Sequence, residues 1–373
     1  MLDRFKLFQE LERVSQNFFS VSKECIMQLE ILFEQVKNDE HLVLMIASKK
    51  WSLLLPSWHG KLGQTFLIKE HQHPYQVLAV DGSQIYYDKH QGPACSLINI
   101  GVVYLQYGLH TSKVELSSYP EILVVDQDQQ YVLDAEYINL YREQCELIEA
   151  VKSSEQSIQQ LIDPFMCLLD GSLIFFQVDD EKNENSQNFF NKYIEELQLF
   201  FNSKILHVAY MSFPKTKDMI NIIRLVSADF QEKNIKQSDY FSNLLDVDLL
   251  RIFLAEGHRT IIFESKAPIC YAYPKHLKPY FCYLNVGLEI VRLEFAGWIA
   301  QDPMLVDRLC AIVLDQAIKG NGYPVALFEA HEQAVIKTVD REFFYATIKQ
   351  IYLKNNQDYK ISSKSSKKIQ PPF

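Results

Sequence analysis

Apolar positions recur at helical spacing from the first residues of the chain. Phe5, Phe8, Leu11, Ile26, Leu29, Leu32 and Val36, with Glu and Lys between them, predict a helix over residues 1–38. It packs on the body of the protein or serves as a dimerisation arm. Residues 41–75, marked by Trp51, Pro56 and Trp58, show no clear period. Three strands follow, at 76–81, 94–107 and 114–125, the last interrupted at Pro120; their short connections predict an antiparallel meander. A helix over 134–161 buries Ile138, Tyr141, Cys145 and Ile148, and Arg142, Glu146 and Glu149 form a neighbouring stripe. A strand then ends at Asp170. Residues 180–187 are polar and loop-like. Helix 188–202, strand 205–211 and helix 217–226 alternate, as in a parallel extension of the sheet. Residues 228–280 have the character of an insertion with a short strand at 260–263. Two strands (280–284 and 289–295), a helix over 304–318 and a last helix over 341–353 complete the pattern. The tail, 354–373, is basic, Ser-rich and poor in apolar residues, a disordered composition.

Two short buried runs end alike: Leu78-Ala79-Val80-Asp81-Gly82-Ser83 and Leu168-Leu169-Asp170-Gly171-Ser172-Leu173. Asp-Gly is a common strand-terminating turn, because Asp caps its own backbone and Gly takes positive φ. Two such ends on one sheet also bring two carboxylates together. Clustered carboxylates repel unless something positive neutralises them, and a divalent metal does so.

Composition narrows the picture. The chain has 373 residues, 48% hydrophobic and 13% aromatic, enough for a large core. No apolar stretch is long enough to span a bilayer, and the charged start is no secretory signal. Seven scattered cysteines fit a reducing cytoplasm, and Cys270 and Cys282, twelve apart without a CxxC partner, argue against a zinc site. A net charge of −10 excludes a simple nucleic-acid-coating protein. It leaves open an enzyme with a local cationic groove.

The order of three strands, helix, strand, helix, strand, helix is that of a ribonuclease-H-like fold, an α/β mixed sheet flanked by helices. The chain divides accordingly into an N-terminal helical arm (1–74), a main domain (75–353) with an inserted segment near 228–280, and the tail.

The two Asp-Gly-Ser segments, Ala209-Tyr210 with Ser212, Lys215 and Lys217, Val291-Arg292-Leu293-Glu294, and Gly322-Tyr323-Pro324 running into Glu329-Ala330-His331 together resemble the NurA nuclease family. The resemblance covers roughly residues 75–350 and implies a homodimeric, manganese-dependent deoxyribonuclease. Its expected activity is 5′-to-3′ exonucleolytic with single-strand endonuclease activity. Its expected partners are DNA and a HerA-type hexameric translocase, in DNA end resection. The family's metal-binding carboxylates fall on Asp81 and Asp170, and its late Tyr and His on Tyr323 and His331. For the helix-borne Glu, the Arg-x-x-x-Glu pattern selects Glu146, with Glu149 the alternative. Asp81, Glu146, Asp170 and His331 would hold two ions, Mn²⁺ or alternatively Mg²⁺, and Lys215 and Lys217 would meet the DNA backbone.

Each residue has a plainer reading. Glu146 pairs with Arg142, His331 is a packed or capping histidine, Lys215 and Lys217 sit on a solvated turn, and Tyr323-Pro324 turns a helix into a strand. Arg292 and Glu294 read as a structural ion pair. Two other functions compete: a non-catalytic module docking a translocase, and a hydrolase such as a glycosidase using paired carboxylates.

Overall fold

The computed structural model describes residues 2–15, 22–69, 71, 74–88, 94–108, 112–124, 135–158, 164–175, 184–235 and 240–357. Its elements begin with α1 (Arg4–Val14), α2 (Lys23–Val36), α3 (Leu42–Ala47), β1 (Ser57–Trp58) and β2 (Thr65–Leu67). Next are β3 (Tyr75–Ile85), β4 (Cys95–Tyr107), β5 (Ser112–Val124), α4 (Ala135–Ser157), β6 (Phe165–Asp170), α5 (Glu184–Asn202) and β7 (Leu206–Met211). Then come α6 (Asp218–Ser227), α7 (Glu232–Ile235), α8 (Asp246–Phe253), β8 (His258–Thr260), β9 (Phe263–Glu264), β10 (Pro279–Asn285) and β11 (Ile290–Ala296). The last are α9 (Gly297–Ala300), α10 (Pro303–Lys319), α11 (Val325–Ala334) and α12 (Thr338–Lys354).

The chain forms two compact units: Met1–Lys69 with Tyr210–Ala311, and Glu70–Ala209 with Ile312–Phe373. This grouping differs from the arm-plus-domain division drawn from the sequence, and α2 shows why. Its Leu29 and Phe33 are fully buried, in one core with Ile222, Leu249, Phe263 and Phe281. Each such side chain contributes about 1.5–3 kcal/mol on burial. The aromatic stretch without a period joins the same core through Leu55, Trp58 and Leu62. The single helix expected over 1–38 is two helices, α1 and α2, with 16–21 outside the described residues. By contrast α1 buries none of its residues.

In this first unit the expected ion pair on β11 is present and buried. Arg292 Nε donates to Glu294 Oε1 (2.7 Å) and Nη1 to Asp218 Oδ2 (2.9 Å). Asp246 accepts from the first three backbone N–H groups of α6, at Asp218, Met219 and Ile220. Burial raises the Asp218 carboxyl to about 6, against the pull of Arg292. The strand expected at 260–263 is split into β8 and β9.

The second unit carries the ribonuclease-H-like arrangement, with strands in the order β7-β6-β3-β4-β5. β3, β4 and β5 form the antiparallel meander, and β6 returns parallel to β3 after α4. Gly82 faces α4 and Gly101 faces α11. Gly101 pairs with Asp81, the residue before Gly82, so the two glycines look to opposite faces and helices cover both.

Several boundaries differ from the sequence reading. β5 runs through Pro120, which pairs with Asn99. Proline lacks the ladder donor, and β5 has β4 as its one neighbour in the unit's strand order, so no hydrogen bond is broken on the other side. The polar loop expected to 187 gives way to α5 from Glu184, and 180–183 lie outside the described residues. The tail expected from 354 is also outside them beyond Gln357. Residues 325–334 form a helix, not the strand that a turn at Tyr323-Pro324 would introduce. The seven cysteines are free thiols, six of them buried. Among the described residues no helix is long and apolar enough to cross a membrane.

Candidate active site

The β3–β6 register places the two Asp residues. Val80 pairs with Leu169 in the parallel ladder, so Asp81 and Asp170 come next, side by side and on one face. β6 ends at Asp170, and Gly171 turns the chain with φ +93°, as the Asp-Gly motif requires. The first motif behaves differently. β3 continues to Ile85, and Gly82 sits within it, paired with Ile100. Gly82 serves proximity instead: a Cβ there would lie 2.4 Å from Glu146 Oε1 and 3.0 Å from Arg142 Cγ. The missing side chain leaves the space that the Glu146 carboxylate fills.

Asp81, Glu146 and Asp170 line one cavity of about 300 Å³, together with Arg142, Glu143 and Ser172. Glu149, the alternative on α4, instead accepts from Lys152 (2.9 Å) and Ser153 (2.8 Å) and is not among the residues lining this cavity. The plainer reading of Glu146 is also realised, because Arg142 Nη1 donates to its Oε1 and to Gly82 O. That pair is not on a solvated face; its side chains are only 21% and 17% exposed.

α11 brings the histidine. A Cβ on Gly101 would meet Ala330 O at 2.4 Å and Ala334 N at 2.5 Å, so the helix backbone lies directly on β4. Asn99 Nδ2 donates to Gln333 O (3.1 Å) and Ala334 O (2.9 Å), and Ser83 Oγ also donates to Ala334 O. These bonds satisfy the carbonyls left open at the helix end. Gln316 Oε1 accepts from Ala326 N (3.2 Å) at the other end. So held, His331 puts Nδ1 2.8 Å from Asp81 Oδ2. The second Asp81 oxygen accepts from Gly82 N (2.8 Å). With Nδ1–H donating, Nε2 carries the imidazole lone pair. Tyr323, on the turn before α11, hydrogen-bonds Asp170. Gly101 and Asn99 carry no local signal in the sequence; their role, like that of Ser83 in the first Asp-Gly-Ser segment, appears only once α11 lies on the sheet.

The Glu146 and Asp170 carboxyls of the cavity hold their protons more tightly than ordinary ones. Burial raises Glu146 to about 8; Arg142 opposes this, while Asp81, Glu143 and Asp170 add to it. Asp170 is also raised, first by the walls around its carboxyl and then by the Asp81 charge, although the residue as a whole is exposed. Among the described residues no three Asp, Glu, His or Cys side chains are already gathered to ligate one ion. The contacts explain this: Glu146 is turned to Arg142, and Asp81 to His331. Three carboxylates and an imidazole form a hard-oxygen and nitrogen donor set that fits a divalent ion of the Mn²⁺ kind.

Lys215 and Lys217 belong to the first unit. Lys215 is exposed. Lys217 is half-buried, and its ammonium donates to Ser242 O.

A family model described as the NurA domain matches residues 75–336, more than half of the chain. No curated protein matches. A solved structure described as "Crystal structure of NurA" is 11% identical, with TM-score 0.43, over 91% of this chain and 97% of that one. One described as NurA with manganese is 11% identical, with TM-score 0.42, over 92% and 98%. One described as NurA bound to dAMP and manganese is 13% identical, with TM-score 0.36, over 90% and 94%. The family match begins at the first residue of β3, takes in both Asp-Gly-Ser segments and ends just past the helix that carries His331; this chain belongs to the NurA family.

Proposed function

We propose that this protein is a divalent-metal-dependent deoxyribonuclease that hydrolyses phosphodiester bonds. One observation carries the reading: Asp81, Glu146 and Asp170 line a single cavity, with His331 and Tyr323 each touching one of the two aspartates. Asp81, Glu146, Asp170 and His331 are the residues that would hold metal, as two ions, Mn²⁺ or Mg²⁺. Bound there, such ions would polarise the scissile phosphate and lower the pKa of the attacking water.

The protein's own residues prepare that chemistry. His331 fixes the rotamer of Asp81 through Nδ1 and presents Nε2 as a further donor. Tyr323 donates its hydroxyl proton to Asp170, which leaves its oxygen lone pairs to accept from the attacking water. Arg142 hydrogen-bonds Glu146 in the metal-free protein. Lys215 supplies positive charge for the DNA backbone, whereas Lys217 shapes the loop through Ser242. With a net charge of −10, DNA binding should be weak and steeply salt-dependent unless a partner contributes positive charge.

The proposal extends to 5′-to-3′ exonuclease and single-strand endonuclease activity, a homodimer, and a HerA-type hexameric translocase as partner in end resection. These come from the family resemblance. Digestion of end-labelled linear DNA with Mn²⁺ at low salt, wild type against Asp81→Ala, tests the activity. Digestion by the wild type alone supports it, and the label lost first gives the polarity. Equal digestion by both refutes the site. Inactivity of both, with and without the translocase, would favour a non-catalytic docking module.

A further inference from the structure

The loop after β7 displays an aromatic ring in an expensive way. Phe213 is 74% exposed, and its φ of +44° is a left-handed conformation that bulky L-residues seldom adopt. The loop is nonetheless fixed. Glu289 on the β10–β11 hairpin accepts from Tyr210 Oη (2.8 Å), Ser212 Oγ (2.7 Å) and the Phe213 backbone N–H (3.2 Å). This accounts for the Tyr210 and Ser212 motif positions that the catalytic cavity does not use.

The ring borders a cavity of about 420 Å³, whose lining includes Lys215, Arg251, Leu288 and Asn285. Two cations and two carboxylates face it. The carboxylates are engaged within the protein: Glu289 as above, and Asp248 by Leu245 N (2.9 Å) and by Arg251 at 3.5 Å. The cations project outward, Lys215 exposed and the Arg251 side chain 68% exposed. Leu288, at the hairpin tip, is 77% exposed. The volume is in the range of small-molecule sites, suited to one nucleotide rather than to a protein face.

We propose that Phe213 is a stacking platform for an unpaired base of single-stranded DNA, with Lys215 and Arg251 receiving the flanking phosphates. An exposed ring beside cations is how sequence-tolerant single-strand binding is built, since every base offers a π-face. The proposal rests on the nuclease reading and adds a substrate subsite to it.

The test is fluorescence anisotropy of the full chain with a labelled oligo(dT), in EDTA so that no cleavage occurs. It is repeated with an oligonucleotide of equal length bearing abasic sites. The wild type should prefer the base-bearing strand by about fivefold or more. Phe213→Tyr should keep the preference and Phe213→Leu lose it. Lys215→Ala should weaken both strands alike and reduce the salt slope by about one. An unchanged base preference in Phe213→Leu overturns the proposal, and so does a change confined to self-association, which would make this a protein contact. Mn²⁺-dependent cleavage measured alongside separates the two claims. If the wild type cleaves and Phe213→Leu retains the preference, only the stacking site falls. If the wild type neither binds nor cleaves, both fall.

Discussion

Gly101 faces Asp81 across the β3–β4 ladder, and the side chain it lacks is what admits α11 to the sheet. The histidine that reaches Asp81 is delivered by this close approach. Replacing Gly101 with Ala puts a Cβ within 2.5 Å of helix backbone that cannot rotate away. Such overpacking costs roughly 1–3 kcal/mol. We expect Gly101→Ala to lower stability by that order in urea titrations and to reduce cleavage at least tenfold, because a displacement of about 1 Å costs on the order of a hundredfold in rate.

Gly82→Ala should behave differently. Its Cβ would meet Glu146 Oε1 at 2.4 Å and the Cγ atoms of Arg142 and Glu146 at 3.0 Å, side-chain atoms rather than helix backbone. The fold should therefore survive with a small change in melting temperature, while Mn²⁺ affinity measured by calorimetry falls.

The raised Glu146 carboxyl makes metal-free stability depend on pH. Its folded value is about 8 against an ordinary 4.5, so the folded state holds the proton more tightly. The associated stability is fully present below about 4.5 and is lost as pH rises through 8. Urea midpoints in EDTA should fall over this window, and Glu146→Gln should flatten part of the slope, Asp170 supplying some of the rest. On the proposed assignment, in which the ionised carboxylates are the ligands, added Mn²⁺ should reverse the trend.

If Glu146 is a metal ligand as proposed, Arg142 competes with the ion for it; the buried Arg142 Nε has no hydrogen-bond partner among the described residues. Arg142→Gln should destabilise the metal-free protein and tighten Mn²⁺ binding several-fold. Weaker binding in calorimetry would show that Arg142 positions Glu146 rather than opposing the ion.

In the other unit, Arg292 is the cation facing Asp218 and Glu294 at the buried β11 pair. Arg292→Met leaves those carboxylates uncompensated and should cost about 3–5 kcal/mol in urea denaturation.

Local chemistry made part of this legible in the sequence. The strand ending at Asp170, its Gly171 turn and the strand-helix order follow from short-range periodicity and turn rules, whereas on α4 the expected buried stripe is displaced, with Leu147 and Val151 buried and Ile148 exposed. What sequence hid depends on contacts between distant segments. Gly82 has the sequence of a turn but is a gap in a strand, because α4 lies over it. The apolar run after Tyr323-Pro324 resembles a strand, and Pro324 at the N-cap makes no side-chain cap hydrogen bond, so α11 lacks its usual start signal. Pro120 reads as a break because an edge position cannot be recognised from one strand alone. The N-terminal residues read as an arm because their partners on α6 and α8 come some 200 residues later.

The central claim is that the carboxylates of β3, α4 and β6 bind the divalent metal on which cleavage depends. Electron paramagnetic resonance of free Mn²⁺, titrated with wild type, Asp81→Asn and Asp170→Asn, tests it most directly. The account predicts uptake by the wild type that is lost or strongly weakened in each variant while the fold is retained. Equal uptake by all three would contradict it.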